Sequence, residues 1–463
     1  MREPTLLYPT IDLFLYDLQD GLGHSAEEIA QIRHGLWQGI LNGNFTETTL
    51  ADIKAREATL SNYIELLPQR YQFFAAPYDG YYYPVKLGDT LAVQVDCAGK
   101  PEEPTWDALS LDDQLQQMKA SVLEHARDIP GRMGRSWFIW GRLTTADQDP
   151  EASAINIFKT LKLFPQSNWA LDCKGKGRYG GATFYEIQKV DETADGINQN
   201  HYALICLFPA SQTKADMQGI LSQLYRHLMR LLYYRNKVLW AYEQGFQLKT
   251  KLKEAINKVQ ILINILPGHI AQPAIALNSL QQDLAKALTI SHYCEKNLSF
   301  LKEQAATISI NLDNYQKRLQ LMSQSAGESD LAVLERFADF AQEKYLNQLK
   351  TDEQTLAVSL KPLATFIQTV EGVIEIEKAK NDRTLNQTVA IASVGISVAS
   401  LAASTFTEQA KTIIEVRNPT PSGQPIPVSN SIKSAGLAFG VSLAIGLLGA
   451  CMTWLLLKAW NRR

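Results

Sequence analysis

The pattern of apolar and polar positions divides the chain into a mixed front part, a helical middle and two apolar stretches near the end. Residues 1–70 read as a helical segment. Ser25-Ala26-Glu27-Glu28 has the form of a helix start, and apolar residues recur at helical spacing as far as Ile40. Residues 71–210 have a different texture. Residues 85–95 show strand character, with Lys86-Leu87-Gly88-Asp89 as a hairpin turn, and 136–143, 182–190 and 202–208 read as further strands. The last is an almost continuous apolar run, as expected of a strand buried on both faces. Helical text lies between them, at 111–126 and 152–163. These features predict an α+β domain with a mixed sheet.

From residue 211 to 383 strand signals vanish, and the text predicts a long-helix bundle or stalk. Residues 219–247 and 251–266 are amphipathic, with Pro267-Gly268 as the expected stop, and a further helix is predicted over 275–322. The last pattern starts at Asp330. In it Leu356, Leu360, Leu363, Ile367, Val370 and Ile374 alternate spacings of 4 and 3, the heptad seam of a coiled coil. Pro362 lies inside that seam without shifting its register, which predicts a kink.

Residues 384–407 and 434–457 carry no charge, and each stretch is 24 residues long. As helices they reach across ~30 Å of hydrocarbon, and they predict two transmembrane helices joined by an extracytoplasmic loop over 408–433 and followed by a basic tail over 458–463. With no export signal at the front, the expectation is an integral membrane protein with two spans and both termini cytoplasmic, in a bacterial inner membrane with the lipid bilayer as partner.

Charge and composition narrow the chemistry. The formal net charge is −3, without the basic excess of a nucleic-acid binder. The seven histidines and five cysteines show no metal or redox spacing, no nucleophile motif is present, and an enzyme is not expected. Asn386, Ser393, Ser397, Ser400 and Ser404 share one helical face, which suits either pore lining or close helix packing. Gly436, Gly440 and Ala444, at four-residue intervals, suit helix packing. Glu375 and Asp382, seven residues apart, are candidate cation ligands on a face that also reads as a solvated, charged surface. Lys174, Lys176 and Arg178 are candidate anion contacts, although the stretch from Lys174 to Gly181 reads as a glycine turn between strands.

The order of an α/β domain, long helices, one helix running into the first of two apolar stretches, and the short tail Lys458 to Arg463 resembles the CorA-type divalent-cation channel superfamily. Where that family carries Gly-Met-Asn, this chain has Ala402-Ala403-Ser404-Thr405-Phe406. The resemblance implies a homo-oligomer, a pentamer, with a helical funnel and a divalent cation as the candidate cofactor. It predicts a cation channel or transporter gated by its cytosolic domain. The alternative is a membrane-tethered sensor or effector that acts only when that domain is triggered.

Overall fold

The computed structural model describes residues 6–19, 25–41, 47–59, 61–100, 103, 105–192, 198–270, 277–325, 327 and 329–381. It forms two compact units, one of residues 1–268 with 285–367, the other of 269–284 with 368–463. The first contains β1 (Leu6–Leu18), α1 (Ala26–Leu41), α2 (Glu47–Glu57), β2 (Ile64–Glu65), β3 (Gln72–Phe73), β4 (Gly80–Leu87), β5 (Thr90–Cys97), α3 (Leu111–His125), β6 (Gly134–Leu143), α4 (Pro150–Leu161), α5 (Trp169–Asp172), β7 (Cys173–Tyr179), β8 (Ala182–Glu192) and β9 (Asn198–Phe208). The helices α6 (Lys214–Ile270) and α7 (Leu277–Ser325) follow. After them come α8 (Ala332–Phe340), a π-helical turn (Ala341–Leu346), α9 (Asn347–Ser359) and α10 (Lys361–Asn381).

The nine strands form one sheet in the order β2-β4-β5-β1-β6-β9-β8-β7, with β3 also on β4. Neighbours are antiparallel except β6 and β9, which run parallel. A parallel pair needs a crossover, and the segment from α4 through β8 supplies it. Both faces are covered. Ile11, Leu13 and Leu15 of β1 join a core with Trp37 of α1, Met118 of α3 and Phe158 of α4. Phe14, Tyr16 and Leu18, on the opposite face by strand alternation, join a second core with Leu228 of α6, Leu312 of α7, Leu334 of α8 and Leu349 of α9.

Local chemistry accounts for the element ends. Ser25 Oγ accepts from Glu28 N (3.2 Å) while Ser25 N donates to Glu28 Oε2 (2.7 Å), a reciprocal cap on α1. Asp149 caps α4, ahead of Pro150 in the first turn.

Several expectations need correction. The segment 1–70 opens with a central strand. Residues 11–18 are buried on both faces, so the strand lacks the polar alternation that would have marked it. Residues 219–247 and 251–266 belong to one helix, which continues through Pro267 to Ile270 despite the ladder bond that proline removes. At Pro362 the helix breaks for one residue, Leu360, and restarts.

The larger correction concerns the membrane. Among the described residues no helix is long and apolar enough to cross one. The fold class with two transmembrane helices, the membrane-protein description and the two-span inner-membrane location are not supported. The long helices α6 and α7 are amphipathic, with charges such as Lys251, Lys253, Glu254, Lys302 and Glu303 along their exposed sides. Each such charge would cost about 2.5–3.5 kcal/mol at a bilayer centre. The apolar stretches 384–407 and 434–457 lie outside the described residues.

Candidate functional site

A cleft of about 440 Å³ opens where the sheet meets the two long helices. Its lining comes from Asp17 and Leu18 at the end of β1, Ile32 of α1, and Arg132 and Met133 just before β6. The remainder comes from one face of α6 (Trp240, Glu243, Gln244, Gln247, Leu248, Lys251) and one face of α7 (Asn297, Phe300, Gln304). The spacings along both helices, alternating 3, 1 and 4, keep each set on a single stripe.

The lining is graded. Asp17, Leu18, Ile32, Met133, Asn297 and Gln304 are buried; Trp240, Glu243, Gln244, Gln247, Leu248 and Phe300 are half-buried; Arg132 and Lys251 are exposed. Asp17 accepts from the backbone N–H groups of Gly131 and Arg132 (both 2.8 Å), which fixes the loop that carries Arg132. Burial nevertheless raises the Asp17 carboxyl above its ordinary range, the two backbone N–H groups opposing it. Burial also raises Glu243. Lys237, one turn before Trp240, lies 5.3 Å from the Trp240 ring centre and pairs with Asp89 at 2.7 Å, which braces that ring.

Gln304 is the distinctive member. Asn297, Gln304 and Asn311 recur every seven residues on the buried stripe of α7, at 8%, 7% and 7% exposure. Asn297 and Asn311 turn their amides back onto their own helix, donating to the carbonyls of Tyr293 (2.7 Å) and Thr307 (2.8 Å). Gln304 lines the cleft, and its buried Oε1 accepts no hydrogen bond. An unsatisfied buried acceptor costs about 1–3 kcal/mol, which a turn of the side chain toward a donor in the cleft would recover.

Two other polar groups lie under α6. Asp12 of β1 and Asp96 of β5 are register partners on the helix-facing side of the sheet. Tyr225 Oη donates to Asp12 Oδ2 (2.6 Å), Gln94 Nε2 donates to Asp12 Oδ1 (2.7 Å), and Trp140 Nε1 donates to Tyr225 Oη (2.8 Å). Burial pushes Asp12 up to about 6, against the hydrogen bonds it accepts; burial and then the charge of Asp12 raise Asp96 as well. The two carboxyls are register partners, so a charge on one opposes a charge on the other. Farther along, the Arg235 guanidinium lies 3.8 Å from the ring centre of Tyr202 and 4.6 Å from that of Phe337. Its three nitrogens have no acceptor, and Oε1 of nearby Glu186 has no donor. A second cavity, about 570 Å³, runs between α6 and α7 beside Ile261, Leu262 and Ile290 and is an apolar helix-to-helix groove.

The residues singled out in the sequence do not converge on the cleft. Lys174, Lys176 and Arg178 alternate along β7 and are exposed. Lys174 donates to the Leu171 carbonyl (2.9 Å), Lys176 pairs with Glu151 (3.2 Å), and the Arg178 backbone bridges to Asp330. Gly180 and Gly181, at φ 56° and 83°, turn this strand into β8, so no helix N-terminus follows to hold a phosphate. Glu375 is exposed on α10. Asp382, Asn386, Ser393, Ser397, Ser400, Ser404, Gly436, Gly440 and Ala444 lie outside the described residues. Among the described residues no group of three His, Cys, Asp or Glu side chains could hold a metal ion.

The cleft was missed because its parts lie up to 287 positions apart, from Asp17 to Gln304. One signal was present. Amides at 297, 304 and 311 interrupt the apolar stripe of α7 with period 7, and polar residues at 243, 244 and 247 interrupt that of α6. Compared with protein-family models, with curated proteins and with solved structures, the chain matches none of them.

Proposed function

We infer that this chain is a ligand-responsive module in which a small polar molecule binds between the sheet and the α6/α7 pair and biases the position of those helices. The unsatisfied, buried Gln304 Oε1 in the wall of the cleft carries the reading. The cleft size falls within the roughly 300–1,000 Å³ typical of small-molecule sites. The response would travel because α6 is one continuous helix from the sheet through the cleft and beyond. This keeps the sensing half of the sequence-based expectation and makes no use of membrane spans. Hydrogen–deuterium exchange of the whole protein with a panel of polar metabolites is the test. A binder should slow exchange across 240–251 and 297–304, and Gln304→Leu should remove the effect while leaving the fold intact. A binder that protects neither stretch, or protects both equally in Gln304→Leu, would overturn the reading.

A further inference from the structure

We propose that the cleft takes a 5′-mononucleotide, with the base inside and the phosphate at the mouth. The proposal rests on the ligand-responsive reading above and adds the chemical class of the ligand.

The lining changes in chemistry from floor to mouth. The buried end offers the Gln304 carboxamide with its free oxygen, while the Asn297 amide already donates to its own helix. Gln244 and Gln247 add two more, half-buried. A carboxamide presents a donor and an acceptor side by side in one plane, and the edge of a nucleobase presents the complementary pair. Fixed charge is poorly represented at this end. The Asp17 carboxylate is already taken by two backbone N–H groups, so an ammonium or guanidinium ligand would find no free counter-ion at the floor. The half-buried zone offers the rings of Trp240 and Phe300, together with Leu248 and the Glu243 carboxyl, which burial shifts toward its neutral form. Flat aromatic bases stack on such rings, at about 1–3 kcal/mol per base in known cases. A purely aliphatic or lipid ligand would leave Gln304 Oε1 unsatisfied.

The mouth offers Arg132 and Lys251, one from the sheet side and one from α6, both exposed. Cations placed this way hold an oxyanion by charge-assisted hydrogen bonds. A phosphate there would draw α6 toward the loop before β6. That couples occupancy to helix position. A planar hydrogen-bonding edge, a stackable face and an anionic end occur together in a nucleotide. A nucleoside lacks the third property, and inorganic phosphate lacks the first two.

Calorimetric titration of the full-length protein with AMP, GMP, CMP and UMP tests this, with adenosine, guanosine and inorganic phosphate as the separating arms. At least one mononucleotide should bind, and its nucleoside should bind about tenfold more weakly or worse. Arg132→Ala with Lys251→Ala should reduce the nucleotide to the affinity of its nucleoside and leave the nucleoside unchanged. Gln304→Leu should weaken both by a similar factor, about tenfold. Circular dichroism melts establish that each variant folds, and Arg132→Lys with Lys251→Arg should retain most of the binding. Equal affinity for nucleotide and nucleoside, or phosphate binding as strong as the nucleotide, would overturn the assignment. So would the absence of binding by all four nucleotides. In that last case a thermal-shift screen of other metabolites separates the two readings. A hit abolished by Gln304→Leu leaves the cleft as a ligand site for another class, and a screen without any such hit removes both.

Discussion

Asp12 and Asp96 place two carboxyl groups in one buried position, and the cost of charging them sets a pH dependence. Folding raises Asp12 from 3.8 to about 6, chiefly by desolvation. An acid with a raised folded-state pKa holds its proton more tightly when folded. Its contribution to stability is therefore complete below the unfolded value and is lost as the pH rises through about 6. Asp17, Glu57, Glu186 and Glu243 are raised by burial too and act with the same sign, so the informative quantity is a difference between proteins. Between about pH 4 and about pH 7 the parent should lose about 1–3 kcal/mol more stability than Asp12→Asn, whose carboxamide keeps the shape without the titration. Urea midpoints at several pH values would measure it, and parallel profiles for the two proteins would refute the raised Asp12 carboxyl.

At the scale of elements, the edge of the sheet at β7 is closed by the segment that leads into α8. Arg178 and Asp330 exchange both backbone hydrogen bonds at 2.9 Å, which occupies an otherwise open strand edge. Gly177 permits the approach. A Cβ there would lie 2.5 Å from the Asp330 carbonyl oxygen and 2.4 Å from Phe184 Cζ, and backbone cannot step aside as a side-chain tip can. Gly177→Ala should cost about 1–3 kcal/mol and raise amide exchange at 330–340. Gly219→Ala, in α6 with nothing within 4 Å of the added methyl, should stabilise by about 0.5–1 kcal/mol. A stable Gly177→Ala would show that the bridge is not close-packed. The same region shows what the sequence could and could not convey. Strands β8 and β9 were legible because aromatic and β-branched residues gather within 11 residues each and a Gly-Gly turn precedes β8. The contact between 178 and 330 was not, because nothing local at either position encodes a partner about 150 residues away. β1 was misread for a related reason. Its burial on both faces comes from helices contributed by distant segments, so its own text lacks period-2 alternation.

At the scale of the whole first unit, β9, α6, α7 and α8 meet around Arg235. The guanidinium is 1% exposed, lies against the rings of Tyr202 and Phe337, and has no hydrogen-bond acceptor; Glu186, 3% exposed on β8, interacts with it through charge alone. Ring faces and an unbonded carboxyl recover part of the desolvation cost of a buried cation, and the uncompensated remainder amounts to several kcal/mol. A cleft 5 to 16 residues farther along the same helix, at Trp240 to Lys251, would act on Arg235 through any displacement of α6. Arg235→Met, of similar length and uncharged, should therefore raise the urea midpoint by the equivalent of about 1–3 kcal/mol. It should also weaken ligand-dependent changes in exchange across α8, because the contact of Arg235 with the Phe337 ring is gone. Glu186→Leu, which strips the guanidinium of its counter-charge, should lower the midpoint. If Arg235→Met destabilises the protein as much as Glu186→Leu does, the guanidinium is a satisfied structural group, and transmission from the cleft must run through the Asp89–Lys237 pair and the apolar packing of α6 on α7 instead.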